Sequence, residues 1–190
     1  RHGCARAHRL PADKATRIFE QIVAVGGYTF LKSHSVACAT LCYQTAFLKA
    51  NHPVAFMAAL LTSEAGNFEK LAALAREAEA MRIAILPPDV NASAVDFLPV
   101  AGALRFGLAA IRHVGRPAAE HLVAERRARG PYAGLIDLCA RVELQVVPRR
   151  ALESLIRAGA FDSRGLHRAR LLAGLDLVIG RAVALQTERR

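Results

Sequence analysis

The stretch IRHVGRPAAEHLVAERR, Ile111 to Arg127, carries the residue types and spacing that bear most directly on chemistry. A short apolar helix, a tight turn containing Gly115 and a second helix opened by Pro117 make a helix-hairpin-helix shape. Glycine lifts the steric limit on the turn, and proline at the start of a helix gives up an amide that would have no partner there. The bend then directs the backbone N–H groups of Val114, Gly115 and Arg116 outward at a helix N-terminus, where the dipole also favours an anion. That arrangement is a cradle for phosphate. Arg116, Arg126, Arg127 and Arg129 add positive charge around its rim. Contacts of this kind hold a sugar-phosphate backbone without reading bases, so binding is expected to ignore sequence and to weaken steeply with salt. On the motif alone, an ordinary helical hairpin with a glycine turn is the alternative.

Other residues invite chemistry and do not sustain it. His34, Cys38 and Cys42 stand four apart, so they share one helix face as metal ligands can. His2 and His52 have no spacing that supplies a fourth ligand, and small sulfur side chains on an alanine-rich helix are expected in a core. Asp89, Asp96, Asp137, Asp162 and Asp176 are scattered, with no DxD pair to hold two divalent ions, and neither a phosphate-binding GxxxxGK[ST] loop nor a nucleophile elbow occurs. No catalytic residue and no metal site is expected in this chain.

Helices must position the hairpin. Apolar periodicity predicts helices over 15–25, 34–50, 54–61 and 68–81, the first stopped by Gly26-Gly27, the second closed by Pro53 and the fourth capped by Asn67. Ile18, Phe19, Ile22 and Val25 recur at helical spacing in the first, and Ala37, Leu41, Thr45 and Leu48 in the second. Short apolar pieces broken by proline and glycine between Ile83 and Phe106 read as two or three strands. Helical spacing returns over 108–113, 117–129, 135–141, 148–158 and 167–185. Ile111, Val114, Ala118, Leu122 and Val123 are expected to face inward. The pair 135–141 and 148–158, without a glycine turn, reads as a packing partner completing a four-helix unit.

Composition agrees with a mainly α, globular chain: 53% of the 190 residues are hydrophobic and 6% aromatic. The net charge of +10 is uneven, with 11 basic against 8 acidic residues up to Phe106 and 15 against 8 from Gly107 onward. Such asymmetry suits a polyanionic partner. Four cysteines without a CxxC pair suit a reduced, cytoplasmic protein. No apolar run approaches the roughly 20 residues that span a bilayer, and the opening RHGCARAHRL, without Met, reads as part of a longer protein.

The blocks GGYTFLKSH, YQTAFLKANHPVAFMAALLTSE, ILPPDVNAS, RFGLAAIRHVG and RRALESLIRAGAFD follow an order and spacing that resemble those of the C-family replicative polymerases of bacteria, the DNA polymerase III alpha subunits, from about Phe19 to Arg170. The resemblance implies the C-terminal part of a fingers domain over 1–82, a short β connector over 83–106, a tandem helix-hairpin-helix unit that grips duplex DNA over 107–163 and a C-terminal helix over 164–190. It implies that Lys32, Ser33 and His34 line the pocket of the incoming deoxynucleoside triphosphate; by residue type alone Ser33 is a helix N-cap and Lys32 a solvated charge. It further implies Mg2+ held by palm aspartates that this sequence lacks, so the segment alone should polymerise nothing. The sliding clamp and other holoenzyme subunits are expected to bind elsewhere, since Gln186 to Arg190 does not resemble the clamp-binding peptide. Where the family's turn reads Gly, apolar, Gly, this chain has His113. An error-prone C-family paralogue acting in translesion synthesis and a standalone helix-hairpin-helix adaptor are the alternatives; LKSH and LPPDVNAS fit the replicative form better.

Overall fold

The computed structural model describes residues 11–29 and 32–188, and the chain divides into two compact units, Arg1–Leu48 and Lys49–Arg190. The fold is mainly α with one small sheet, as the sequence implies. Helix α1 spans Ala12–Thr29 and α2 spans Lys32–Asn51. Gly26-Gly27 does not stop α1: glycine costs a helix about 1 kcal/mol against alanine but, unlike proline, does not break its ladder. The periodic apolar side chains of both helices stay exposed, Ile22 at 62% and Leu41 at 61%. Cys38 and Cys42 are exposed as well, which corrects their expected place in a core. Periodicity marks a face suited to being covered and does not say what covers it.

The second unit opens with α3 (Pro53–Ser63), whose proline sits in the first turn, and α4 (Phe68–Ala80), whose first turn is capped by Asn67 Oδ1 accepting from the Lys70 N–H at 3.2 Å. At the other end of α4, Arg82 takes φ +61° while the Arg82 and Ile83 amides bond the Glu79 and Ala78 carbonyls, both at 2.9 Å. This is the doubly bonded left-handed helix ending that glycine usually supplies. Strands β1 (Ile85–Leu86), β2 (Leu98–Val100) and β3 (Ala103–Arg105) form a sheet of order β1-β3-β2, parallel between β1 and β3 and antiparallel between β2 and β3. Ala101 and Gly102 turn the hairpin with φ +48° and +81°, the signs a tight two-residue hairpin needs. Pro99 falls on β2, an edge strand, where its missing donor does least harm. Met57, Leu61, Leu71, Phe97 and Leu104 form the core beneath this sheet.

The rest is helical. A 3₁₀ turn (Leu108–Ala110) leads to α5 (Gly115–Arg129), then α6 (Leu135–Arg141) and α7 (Arg149–Arg157). The helix expected over 108–113 is only that turn, because Ile111 is extended (ψ 130°) and His113 has φ +65°. The helix expected over 167–185 is two, α8 (Arg168–Ala173) and α9 (Leu175–Glu188), separated at Gly174. Ile111, Val114, Ala118, Leu122 and Val123 are all buried as expected, in one core with Leu135, Leu138, Leu152, Leu155, Ile156 and Phe161. Gln186 closes the C-terminal end of α6, its amide donating to the carbonyls of Cys139 at 3.1 Å and Val142 at 2.9 Å, groups that otherwise lack a helical partner.

A pinned loop ties the sheet region to these helices. Asp89 Oδ1 accepts from the N–H groups of Asn91 (2.7 Å) and Ala92 (2.9 Å), and Asn91 exchanges two bonds with the Tyr132 backbone at 2.8 and 2.9 Å. Val90 enters the helical core, its N–H donating to the Ala160 carbonyl at 2.9 Å. Ser93, fully buried, accepts from the Asp89 N–H at 2.9 Å and donates to the Phe106 carbonyl at 2.7 Å. Replacing Ser93 by alanine strands both partners, so urea denaturation should register a loss of about 2 kcal/mol.

Candidate nucleic-acid interface

The hairpin bend is built by backbone sign changes. His113 and Gly115 lie at φ +65° and +70° on either side of Val114, whose buried side chain anchors the bend in the core. Both flanking positions favour glycine, which explains why glycine is usual where His113 stands; histidine tolerates the left-handed region better than most residues. His113→Gly should therefore raise Tm by roughly 2 °C, the relieved strain slightly outweighing glycine's greater freedom when unfolded. Differential scanning calorimetry reads this directly.

Gly115, Arg116 and Pro117 are exposed. Among the described residues, no acceptor engages the N–H of Gly115 or Arg116, and Pro117 has none to offer. The Val114 amide differs: it donates to the Ile111 carbonyl at 3.1 Å, so of the three amides expected to point outward only two are open. A Cβ added to Gly115 would meet nothing nearer than the Pro117 ring at 3.9 Å. The constraint there is the backbone sign, not space.

The surrounding arginines separate into different roles. Arg116 bonds Asp96 through Nη2 at 2.5 Å and approaches Glu120 at 3.6 Å, which raises its pKa. Exposed pairs of this kind exchange partners at little cost. Arg126 is a tether: its Nη1 donates to the Val90 carbonyl at 2.7 Å, and desolvation lowers its pKa. Arg129 pairs with Glu125 at 3.5 Å. Arg127 is exposed and, among the described residues, has no carboxylate partner; it lies roughly 18 Å along α5 from the bend, twelve residues on. The structure thus brings Gly115 and Arg116 together and leaves Arg127 as a separate charge on the same helix.

Lys32, Ser33 and His34 occupy the first turn of α2 in the other unit and are exposed, with a His34 ring nitrogen 3.5 Å from Cys38 Sγ. Ser33 lies inside the helix, not at its cap, and the neighbouring Tyr28 side chain and Phe30 fall outside what the structure describes. The five scattered aspartates each serve the fold: Asp89 pins its loop, Asp96 holds Arg116, Asp137 accepts from the Ala133 N–H at 3.0 Å, Asp162 binds Arg168 and Asp176 binds Arg149. Hydrogen bonding to those arginines lowers the pKa of Asp162 and Asp176. Among the described residues, no group of three or more His, Cys, Asp or Glu is placed to hold a metal ion, and no helix is long and apolar enough to cross a membrane. Sequence spacing gave no hint of one further feature, a groove where Phe68, Arg112, His113 and Arg150 converge from distant positions.

Comparison with known proteins agrees with this geometry. Residues 82–171 match the family described as helix-hairpin-helix motif, a span that contains the bend and α5 to α7. The DNA polymerase III subunit alpha of Thermus aquaticus is 46% identical over 172 residues, 90% of this chain and 14% of that protein. The corresponding subunit of Caulobacter vibrioides is 40% identical over 98% of this chain, and that of Xylella fastidiosa 40% identical over all of it, each match covering 16% of the relative. The chain thus spans about one seventh of the length of these relatives, and it belongs to the family of DNA polymerase III alpha subunits, over the segment that carries their helix-hairpin-helix motif.

Proposed function

We propose that this segment grips duplex DNA by its sugar-phosphate backbone, as part of a DNA-directed DNA polymerase acting in replication. The observation that carries the proposal is the exposed bend whose Gly115 and Arg116 amides have no internal acceptor, inside the span matched to the helix-hairpin-helix motif. Two amides at the start of a 15-residue helix favour an anion by hydrogen bonding and by the helix dipole together. Arg116 can exchange Asp96 for a phosphate, and Arg127 adds long-range attraction. None of these groups reads a base edge.

For the whole polymerase, the resemblance supports a nucleotide pocket with Lys32 toward the triphosphate, Ser33 as a hydroxyl donor and His34 as a wall beside the sugar. Asp89, Asp96, Asp137, Asp162 and Asp176 do not fit a Mg2+ site, each being committed to a structural bond, so two-ion chemistry falls to residues other than these. Fluorescence anisotropy with several unrelated duplexes over a range of salt tests the duplex grip. Affinities equal within about twofold and a log–log salt slope near −3, about 0.9 per phosphate contacted, are expected. A preference of more than about tenfold for one sequence, or a flat salt response, would contradict it.

A further inference from the structure

Arg112, His113 and Arg150 meet at a groove of about 720 Å³ whose walls include Phe68, Glu153 and Arg157. Arg150 Nη2 lies 3.2 Å from His113 Nε2. A guanidinium only donates, so the imidazole accepts there and carries its proton on Nδ1. Arg112 lies over the Phe68 ring, 5.2 Å from its centre, which steadies its flat ion against the groove wall. The groove's carboxylate, Glu153, is already engaged: Oε2 accepts from Arg149 at 3.1 Å and Oε1 from Arg157 at 2.6 Å.

Positive charge therefore gathers at this groove without a carboxylate of its own. Arg116, Arg129, Arg141, Arg149, Arg157 and Arg168 each have a carboxylate partner; among the described residues Arg112 and Arg150 have none. Two guanidiniums beside an imidazole without a counter-ion carry an electrostatic cost that an anion removes. They also come from different halves of the helical unit, Arg112 from the bend and Arg150 from the start of α7. All 15 basic residues from Gly107 onward are arginine, whose planar forks match phosphate oxygens.

We infer that Arg112, His113 and Arg150 form a phosphate site made of side chains, separate from the amides of the bend and bridging the two helical hairpins. The phosphate can be a diester of the DNA backbone or a free phosphate. For the first source the inference rests on the duplex grip proposed above, and for the second it stands alone.

His113 makes the site proton-linked. Without a ligand, desolvation at the groove and the charges of Arg150 and Arg112 lower its pKa, with Glu153 opposing; Arg157 adds a further positive charge from α7, and α4 contributes only apolar side chains, Phe68 and Leu71, to the groove. A phosphate between the guanidiniums reverses the balance and favours the imidazolium. Binding then takes up a proton, so affinity rises as pH falls through the bound-state pKa and levels off below the free-state one.

The test uses the full chain and two ligands, inorganic phosphate and a short duplex, between about pH 5.5 and about 8. NMR titration of the His113 ring should show its pKa raised by inorganic phosphate in wild type and unmoved by it in Arg150→Gln. Duplex affinity should gain about threefold to tenfold on acidification in wild type, should lose that gain in His113→Asn, which tolerates the left-handed backbone without titrating, and should be weaker in Arg150→Gln throughout. A duplex that fails to bind while phosphate still shifts His113 removes the DNA reading and leaves this site with free phosphate. A duplex that binds wild type and His113→Asn with the same pH profile, with His113 indifferent to phosphate, overturns the site and leaves the grip at the bend.

Discussion

Gly107→Ala should destabilise the second unit by about 3 kcal/mol, lowering Tm by roughly 6–12 °C, although the change adds one methyl group at an ordinary backbone angle. Gly107 has φ −75° and ψ 140°, so alanine meets no conformational penalty. The penalty is contact. A Cβ there would stand 2.6 Å from the Asp96 carbonyl carbon and 2.8 Å from both the Phe97 nitrogen and the Val95 oxygen. These are backbone atoms that no rotamer change can withdraw. The two segments run side by side because the Leu108 and Ala109 amides bond the Ala94 and Val95 carbonyls, each at 3.0 Å. Prising them apart strains both bonds, parts the Phe97 and Phe106 rings that meet at 4.8 Å, and shifts Asp96, the partner of Arg116. Gly66, with nothing within 4 Å of its added Cβ, is the control, and Gly66→Ala should change stability by no more than about 0.5 kcal/mol.

The second large effect is on DNA. Joint replacement Gly115→Val and Arg116→Glu should reduce duplex affinity on the order of 30-fold at low salt and flatten the salt slope. Valine at φ +70° distorts the bend that aims the amides and puts a branched side chain where a phosphate must approach closely. Glutamate replaces a mobile cation with an anion beside Asp96 and Glu120. Gly115→Asn separates loss of the cradle from loss of the fold: asparagine accepts the left-handed region and retains the N–H, so it should bind within about twofold of wild type. Circular dichroism should report the same helix content for all three proteins.

Much of the second unit was legible because its signals are local. Asn67 capping α4, Pro53 closing the run of α2, and the inward set from Ile111 to Val123 all follow from residue type at helical spacing, and the structure agrees. The bend was legible through Gly115. What was not legible depended on sign or on distance. No composition rule says that His113 and Arg82 would take positive φ, or that Gly174 would part a helix that Gly26-Gly27 did not. Cys38 and Cys42 read as core, yet they are exposed, as are Ile22 and Leu41 on the periodic faces of α1 and α2, since a periodic stripe fixes which side is greasy without naming its cover. Arg126 looked like rim charge and is a tether to Val90, because the partner is a carbonyl 36 positions away that no pattern marks. Phe68, Arg112 and Arg150 come together only through the packing of α4, the bend and α7.

The pattern of arginine pairing ties these observations to function. Among the described residues, six arginines after Gly107 hold carboxylates and two more hold backbone carbonyls; Arg141 also closes α5 and its loop, donating to the Glu125 and Gly130 carbonyls at 2.8 and 2.9 Å while lying over the Tyr132 ring. A basic composition therefore overstates the charge offered to a polyanion. Arg112, Arg116 and Arg150 lie at or beside the bend, where the free amides are, while Arg127 stands apart on α5.

The most direct measurement is an amide-resolved NMR titration of the full chain with a short duplex. The Gly115 and Arg116 backbone N–H signals should shift first and furthest while the Val114 amide, already donating to Ile111, moves little. Saturable binding that leaves the Gly115 and Arg116 amides in place and perturbs another face would contradict the grip at the bend.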